Sequence, residues 1–286
     1  MFRSVIFVPG NSTRFVEKGK TLSADIICLD LEDSVPSNEK DAARKIIASA
    51  LASRYEYNRP VYVRTNSPES GLVSTDLKAV MRKGLDGIII PKVNDAREIM
   101  NTKKQLAALE KERRTGKIAL MPSIETTKGV VNAYHIAGAD DRINALVFGV
   151  FDFLYDMGLD YDENDPTGNA YARAKVPVDA RAAGVQAIDG IWQKIDDTEG
   201  LVRDATVAKR LGYSGKSIIH PSQIEPVHKI FLPSKNEIEW AKKVVQALAE
   251  AMEKGSGRGA VRLEGRMIDA VHYRQAKAIL GAAKIG

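Results

Sequence analysis

Short apolar runs recur along the 286-residue chain, separated by longer segments with helical periodicity. The runs cover residues 5–9, 26–31, 61–63, 88–91, 118–124, 146–151, 187–188 and 218–219. A continuous run of Val, Ile and Leu is typical of a parallel strand that is buried on both faces. The pattern therefore predicts eight parallel strands.

The segments between these runs have apolar residues at the i, i+3 and i+4 spacing of amphipathic helices. They cover residues 38–52, 96–111, 129–137, 170–183, 201–211 and 237–253. Alternating strands and helices indicate a parallel sheet with right-handed crossovers, and eight such units close into a barrel. We therefore expect an α/β fold, a (β/α)8 TIM barrel over residues 1–232 with a C-terminal helical extension over residues 233–286.

The C-terminal extension is a part that a barrel does not need. Residues 255–259 read Gly-Ser-Gly-Arg-Gly and predict a flexible break, because glycine admits backbone angles that other residues avoid. A last helix is predicted from residue 267 to residue 280. We expect this tail to pack on the barrel or to act as a lid that reaches the active site of a neighbouring subunit.

Polar and charged side chains stand at the ends of the predicted strands, where a buried strand does not normally keep them. They are Asp30, Glu32, Asp33, Arg64, Lys92, Glu125, Asp152, Asp189 and His220. In TIM barrels the C-terminal ends of the strands carry the active site. The sequence therefore predicts a site at one mouth of the barrel, assembled from several strand ends.

Glu125 and Asp152 end the fifth and sixth apolar runs, which are neighbours in a barrel. Mg²⁺ prefers oxygen ligands and is usually held by one or two carboxylates, with water and substrate completing the octahedron. The pair is thus a candidate Mg²⁺ site. The alternative is that the two acids cap helices or form ion pairs.

Three other strand ends have two interpretations each. Arg64 suits a substrate carboxylate or phosphate, but it can equally pair with a neighbouring acid. Asp30, Glu32 and Asp33 can orient metal-bound water, or they can cap the next helix. Lys92 can form a Schiff base, although an ion pair with the strand-end acids is the favoured interpretation.

Composition and charge exclude several other classes of function. Apolar residues make up 44% of the chain and charged residues 28%, as in ordinary globular proteins. The net charge of +5 is dispersed over helices, which argues against a nucleic-acid partner. No stretch approaches the ~20 apolar residues of a membrane helix, and residues 5–8 are too short for a signal peptide. A single cysteine, Cys28, fits a reducing compartment such as the cytoplasm.

Motifs spread over nearly the whole chain are similar to those of one known family. They are Arg3-Ser4 with Phe7-Val8-Pro9-Gly10-Asn11, Asp30-Leu31-Glu32-Asp33-Ser34-Val35, Lys40-Asp41-Ala42-Ala43-Arg44, Val63-Arg64-Thr65-Asn66, Pro91-Lys92, Ile124-Glu125-Thr126, Gly129-Val130-Val131-Asn132, Gly215-Lys216-Ser217, His220-Pro221-Ser222-Gln223-Ile224 and Gly265-Arg266-Met267-Ile268-Asp269. In this order they resemble the citrate lyase β-subunit family of the HpcH/HpaI aldolase superfamily. Each motif alone is weak, but the ordered set is specific.

The resemblance implies a Mg²⁺-dependent carbon–carbon lyase that cleaves a 3-hydroxy-3-carboxyacyl thioester of the citryl, malyl or citramalyl type. The products are a 2-oxo acid and an acetyl thioester, carried by coenzyme A or by an acyl-carrier protein. Two alternatives stay open. One is a β subunit of a multi-protein citrate lyase that acts on an acyl-carrier-protein thioester, and the other is a pyruvate-type aldolase that does not use coenzyme A.

The resemblance also implies roles for individual residues. Glu125 and Asp152 hold Mg²⁺, with Glu125 also contacting substrate, and Arg64 holds the acid end of the substrate. Asp33 supports metal-bound water. Asp269 is an acid/base group that the tail delivers to an adjacent subunit, which implies a homo-oligomer, often a trimer.

Two further positions, Arg14 and Lys92, are expected from the resemblance to approach the thioester arm. One position departs from the family pattern. Relatives usually show Gly-x-Glu-Asp at the sixth strand, whereas this chain has Gly149-Val150-Phe151-Asp152. The aspartate is retained, and the loss of the carboxylate at Phe151 leaves the choice of substrate open.

Overall fold

Eight parallel strands close into a barrel in the computed structural model, which describes residues 1–163, 165–253 and 260–283. The strands are β1 (Ser4–Pro9), β2 (Ile26–Asp30), β3 (Val61–Arg64), β4 (Gly87–Ile90), β5 (Ala119–Ile124), β6 (Ala145–Phe148), β7 (Gln186–Asp189) and β8 (Gly215–Ile218). Each strand pairs with the next in sequence, and β8 pairs back with β1. The predicted TIM-barrel fold is confirmed.

Helices follow the strands and cover the outside of the barrel. They are α1 (Thr13–Gly19), α2 (Lys40–Ala52), α3 (Val73–Val80), α4 (Ala96–Arg113), α5 (Thr127–Ala137), α6 (Val150–Asp156), α7 (Thr167–Ala182), α8 (Thr198–Leu211) and α9 (Ile224–Phe231). Short polar side chains fix several of their starts. Asp95, Thr126 and Asp197 each accept a hydrogen bond from a main-chain N–H in the first turn of α4, α5 and α8, which satisfies donors that a helix leaves unpaired.

Two predicted strands differ from the observed ones by three residues at one end. The run 146–151 is too long, because β6 ends at Phe148 and Gly149 is the N-cap of α6. Asp152 therefore lies in the first turn of a helix, not at a strand end as expected. The last strand starts at Gly215 instead of residue 218, since a buried Lys216 interrupts the apolar pattern from which strands were predicted.

The strand register brings oppositely charged residues side by side. Asp30 on β2 is the Cα partner of Arg64 on β3, and Asp189 on β7 is the partner of Lys216 on β8. Below the mouth, the barrel interior is filled by apolar side chains, among them Ile26, Ile89 and Met121. Burial of a side chain of this size contributes about 1.5–3 kcal/mol. The packed core thus fixes the strands whose ends carry the charges.

The chain divides into two compact units, Met1–His228 and Lys229–Gly286. The described part of the second unit consists of α10 (Lys235–Glu253), an antiparallel hairpin of β9 (Ala260–Leu263) and β10 (Arg266–Asp269), and α11 (Ala270–Ala282). Its own core contains Val244, Leu248 and Ile268.

The tail is therefore only partly helical. Residues 267–269, which were predicted to begin the last helix, belong to β10, and a four-residue strand is too short to show a clear alternation. The predicted flexible break at residues 255–259 lies outside the described residues. Within the described ranges, no helix has both the length and the apolar content that crossing a bilayer requires.

Candidate active site

A cavity of about 300 Å³ opens at the C-terminal ends of the barrel strands. Its charged lining residues are Asp30, Arg64, Glu125 and Asp152, and its apolar ones include Phe7, Phe148, Val150, Phe151 and Ile191. In a TIM barrel this end of the strands carries the chemistry. The cavity is the candidate active site.

Asp30 and Arg64 form a bidentate ion pair in the wall of this cavity. Arg64 Nε and Nη2 donate to the two Asp30 oxygens at 2.6 and 2.7 Å, and Asp30 is fully buried. Burial acts to raise the pKa of Asp30, but the Arg64 guanidinium outweighs it and holds that pKa below its usual value. Arg64 also lies over the Phe7 ring, 4.7 Å from its centroid. The arginine is therefore rigidly held with N–H donors left on Nη1 and Nη2.

Glu32 extends the charged wall from the loop after β2. It is 5% exposed, and its Oε2 lies 3.1 Å from Arg64 Nη1 but has no hydrogen-bond partner among the described residues. Lys40 Nζ donates to the main-chain oxygens of Leu31 and Glu32 at 2.6 and 2.7 Å and so fixes the loop. Burial, together with the charge of Asp33, raises the pKa of the Glu32 carboxyl.

Lys92 connects the acids of the cavity. Its Nζ lies 2.5 Å from Glu32 Oε1, 3.0 Å from Asp33 Oδ2 and 3.1 Å from Asp152 Oδ1. Its main-chain N–H donates to Glu125 Oε1 at 2.6 Å. The residue has a φ of 52°, in the left-handed region that is uncommon outside glycine. One lysine in an unusual backbone conformation thus contacts four carboxylates.

Glu125 is a buried acid whose pKa is strongly raised. It is 4% exposed, and burial together with the nearby charges of Glu32 and Asp152 raises its pKa to about 8. A Cβ placed on Gly149 would lie 2.2 Å from Glu125 Oε2, so the carboxylate occupies space that only glycine leaves free. Glu125 and Asp152, which the sequence paired as metal ligands, therefore line the same cavity and interact with each other and with Lys92.

The other predicted site residues have different surroundings. Asp33 is near the site but 59% of its side chain is exposed, and the buried Glu32 has the more central position. Arg14 is exposed on α1 and is not among the described residues that line the cavity. Asp269 is the N-cap of α11 in the second unit, where it accepts from the N–H groups of Val271 and His272.

A second charged cluster is formed by residues of β7, β8, α7 and α8; the sequence indicated only Asp189 of its members, as a strand-end residue. Asp189 accepts two hydrogen bonds from Arg173 at 3.0 and 2.7 Å and one from Lys216 at 2.6 Å. Asp204 pairs with both cations. Burial acts to raise the pKa of Asp189, but Lys216 and Arg173 hold it below its usual value. Because two acids meet two cations, this cluster is balanced in charge.

The cavity cluster, in contrast, has an excess of negative charge. Two cations, Arg64 and Lys92, are surrounded by five carboxylates, and the acids still outnumber the cations when Lys40 is included. The five acids are Asp30, Glu32, Asp33, Glu125 and Asp152. Such an arrangement favours an additional cation, and carboxylate oxygens are the ligands that hard divalent ions prefer. The guanidinium beside it is suited to an anionic substrate. A perturbed carboxyl in a cleft is typical of a functional site.

Comparisons with known proteins identify the sequences that this chain resembles. The family model for HpcH/HpaI aldolase/citrate lyase matches residues 3–221. The citrate lyase subunit beta of Haemophilus influenzae is 34% identical, with 99% of this chain and 97% of the relative covered. The mitochondrial citramalyl-CoA lyase of Rattus norvegicus is 33% identical, with 98% of this chain and 86% of the relative covered.

Solved structures are similar to this chain as well. The protein CitE of Mycobacterium tuberculosis, in complex with magnesium, acetoacetate and coenzyme A, matches with a TM-score of 0.80 and 26% identity. The match covers 99% of this chain and 98% of that protein. On the family match and the relatives above 30% identity, the chain belongs to the HpcH/HpaI aldolase/citrate lyase family.

Proposed function

We propose that the protein is a Mg²⁺-dependent carbon–carbon lyase that cleaves a 3-hydroxy-3-carboxyacyl thioester into a 2-oxo acid and an acetyl thioester. The observation that carries the proposal is the cavity in which Arg64, Glu125 and Asp152 meet. The kinship with a citramalyl-CoA lyase and with a structure containing magnesium and coenzyme A supports it.

The residues present fit a divalent cation. Glu32 Oε2 is buried without a hydrogen-bond partner among the described residues, and the surrounding acids outnumber the cations. The described residues contain no group of three or more His, Cys, Asp or Glu arranged as a metal site. Two protein carboxylates, those of Glu125 and Asp152, would hold the ion, since Mg²⁺ is usually bound by only one or two carboxylates, with water and substrate as the other ligands. When bound, the ion supplies Lewis-acid polarisation of substrate oxygens.

The protein's own groups supply orientation and a dry site. The free N–H donors of Arg64 bind the substrate carboxylate, and its pairing with Asp30 fixes their direction. Lys92 holds Glu32, Asp33 and Asp152 together, and Asp33 supports water near the cation. The apolar part of the wall excludes bulk water and strengthens these interactions. We expect Lys92 and Arg14 to face the thioester arm.

Cleavage follows a retro-Claisen course. A base takes the proton of the substrate hydroxyl, and the bond from the carbinol carbon to the thioester CH₂ breaks. The carbinol carbon becomes the carbonyl of a 2-oxo acid, and the electron pair of the broken bond passes to the thioester fragment as an enolate. A proton from an acid then gives the acetyl thioester. We assign this acid to Asp269.

The direct test is turnover of citramalyl-, malyl- and citryl-CoA with Mg²⁺, in the wild type and in Glu125→Ala and Asp152→Ala. Both variants should lose Mg²⁺-dependent cleavage, and excess chelator should abolish it in the wild type. Asp141→Asn is a suitable control, because this acid is 81% exposed and pairs with Lys117. Full activity in either site variant contradicts the proposal, and activity on free hydroxy-oxo acids alone identifies a pyruvate-type aldolase instead.

A second candidate function is supported by the 34% identity to a citrate lyase subunit beta. In this case the substrate thioester is carried by an acyl-carrier protein, and the chain acts within a multi-protein citrate lyase. Reconstitution separates the two functions. Low turnover of every CoA thioester, with strong activation by an acylated carrier protein, favours the subunit role.

We also propose that the protein is a cytoplasmic homotrimer in which Asp269 acts in the site of an adjacent subunit. The single buried Cys28 fits a reducing compartment. Light scattering tests the oligomeric state. Mixing refolded Glu125→Ala and Asp269→Ala proteins tests the shared site, because mixed assemblies would regain part of the activity that each variant lacks.

A further inference from the structure

One part of the cavity wall presents hydrocarbon next to the acids. Val150 and Phe151 lie in the first turn of α6, and Ile191 follows β7. The ring of Phe151 packs against the ring of Tyr161, with 4.7 Å between centroids and 44° between planes. Aromatic pairs at this spacing hold each other in place. The residue directly before Asp152 therefore offers the substrate an apolar surface.

The cavity has cationic groups for only one substrate carboxylate. Arg64 is the one cation among the described lining residues, and two of its N–H groups are bound to Asp30. The ammonium of Lys92 contacts carboxylates at each of its three short distances. A second substrate carboxylate would lie near these acids without a cation of its own, which is strongly unfavourable in a buried site.

These two observations concern the group attached to the carbinol carbon of the substrate. Resting on the proposed function, we propose that the apolar wall of Val150, Phe151 and Ile191 selects thioesters with an alkyl group at this carbon over those with a hydrogen or a carboxymethyl group. Cleavage breaks the bond between this carbon and the thioester CH₂. A base takes the hydroxyl proton, an acid gives a proton to the CH₂ carbon of the thioester fragment, and the products are an alkyl 2-oxo acid and an acetyl thioester.

The size of the effect follows from apolar burial. Each methylene buried against the wall is worth about fourfold in kcat/KM, which corresponds to ~0.8 kcal/mol. We therefore expect the methyl-substituted thioester to exceed the hydrogen-substituted one by about fourfold. The preference over the carboxymethyl compound should be larger, at least about tenfold, because that group also brings an unpaired charge.

The experiment measures kcat/KM of the full-length protein with Mg²⁺ on CoA thioesters that carry hydrogen, methyl, ethyl or carboxymethyl at the carbinol carbon. Phe151→Ala enlarges the apolar pocket, so the ethyl-to-methyl ratio should rise about fourfold or more. Tyr155→Ala is the matched control on the same helix, since its side chain is 87% exposed. In this control the ratios should stay as in the wild type.

The outcomes separate this inference from the proposed function. A wild-type preference for the carboxymethyl substrate overturns the inference alone, and so does a Phe151→Ala protein in which all substrates lose rate equally. Cleavage of none of the thioesters overturns the proposed function and the inference with it. If Phe151→Ala does not fold, Phe151→Leu provides a smaller change in volume with the same expected direction, and an unchanged ratio there also overturns the inference.

Discussion

Gly149 gives the sharpest test of how the Glu125 carboxylate is held. A methyl group at this position would lie 2.2 Å from Glu125 Oε2 and 2.6 Å from its Cβ. Both distances are far below van der Waals contact, so the glutamate must move. The backbone of Gly149 has a φ of −106°, which alanine adopts without strain. Gly149→Ala therefore perturbs the site by collision alone, without changing any charged group.

The magnitude can be worked out from the contact. Overpacking in a filled interior typically costs about 1–3 kcal/mol, which lowers Tm by about 2–4 °C per kcal/mol in a protein of this size class. The larger effect should be on Mg²⁺ binding, because the displaced carboxylate is one of the two proposed ligands. Loss of a partner that orients a ligand usually weakens metal binding about 10–100-fold, and we expect Gly149→Ala to fall in this range.

The assay is titration calorimetry of Mg²⁺ with the chelator-treated protein, alongside thermal unfolding. Gly190→Ala is the matched control at a neighbouring strand end, because its Cβ would meet its nearest atom, the main-chain oxygen of Phe148, at 3.2 Å. This variant should keep Mg²⁺ affinity within about threefold of wild type. If Gly149→Ala binds Mg²⁺ as tightly as the wild type, Glu125 is not the ligand that the geometry indicates.

Three further predictions concern other parts of the barrel. Because Glu125 has a pKa of about 8, a proton competes with Mg²⁺, and calorimetry should show affinity falling up to about tenfold for each pH unit below 8. Asp76 is buried and accepts hydrogen bonds from Arg44 and from two nitrogens of Asn66. Asp76→Ala should therefore lower the free energy of unfolding, measured by urea denaturation, by about 3–5 kcal/mol. A loss below about 1 kcal/mol would contradict this expectation. Cys28 is fully buried and burial raises its thiol pKa, so it should react with a thiol reagent only after denaturation, and rapid labelling of the native protein would refute this.

The strand pattern could predict the barrel because apolar runs and helical spacing are local properties of the sequence. It also placed Glu125 correctly, since the acid directly follows β5. The prediction of strand ends failed where a polar residue lies inside a strand or where an apolar residue lies beyond the end of one. Lys216 is 1% exposed within β8, and Phe151 prolongs an apolar run although it lies in α6.

The contacts within the site could not be predicted from spacing. Lys92 is 60 residues from Glu32 in sequence, yet its Nζ reaches that carboxylate. The closed barrel alone brings these segments together. The sequence favoured an ion pair for Lys92 but did not indicate its backbone conformation or which acids it contacts. Likewise, Asp30 was a candidate for orienting water, and it instead fixes Arg64.

The left-handed backbone at Lys92 restricts which residues evolution or a library could place there. A β-branched side chain or proline is sterically barred, whereas glycine and asparagine keep the chain path and hence the amide that reaches Glu125. In a saturation library at this position, the stability of a variant should therefore depend first on whether its residue tolerates a positive φ and only then on the charge of its side chain. Asparagine, which lacks the ammonium group but tolerates a positive φ, should therefore be accepted better than the β-branched isoleucine or valine.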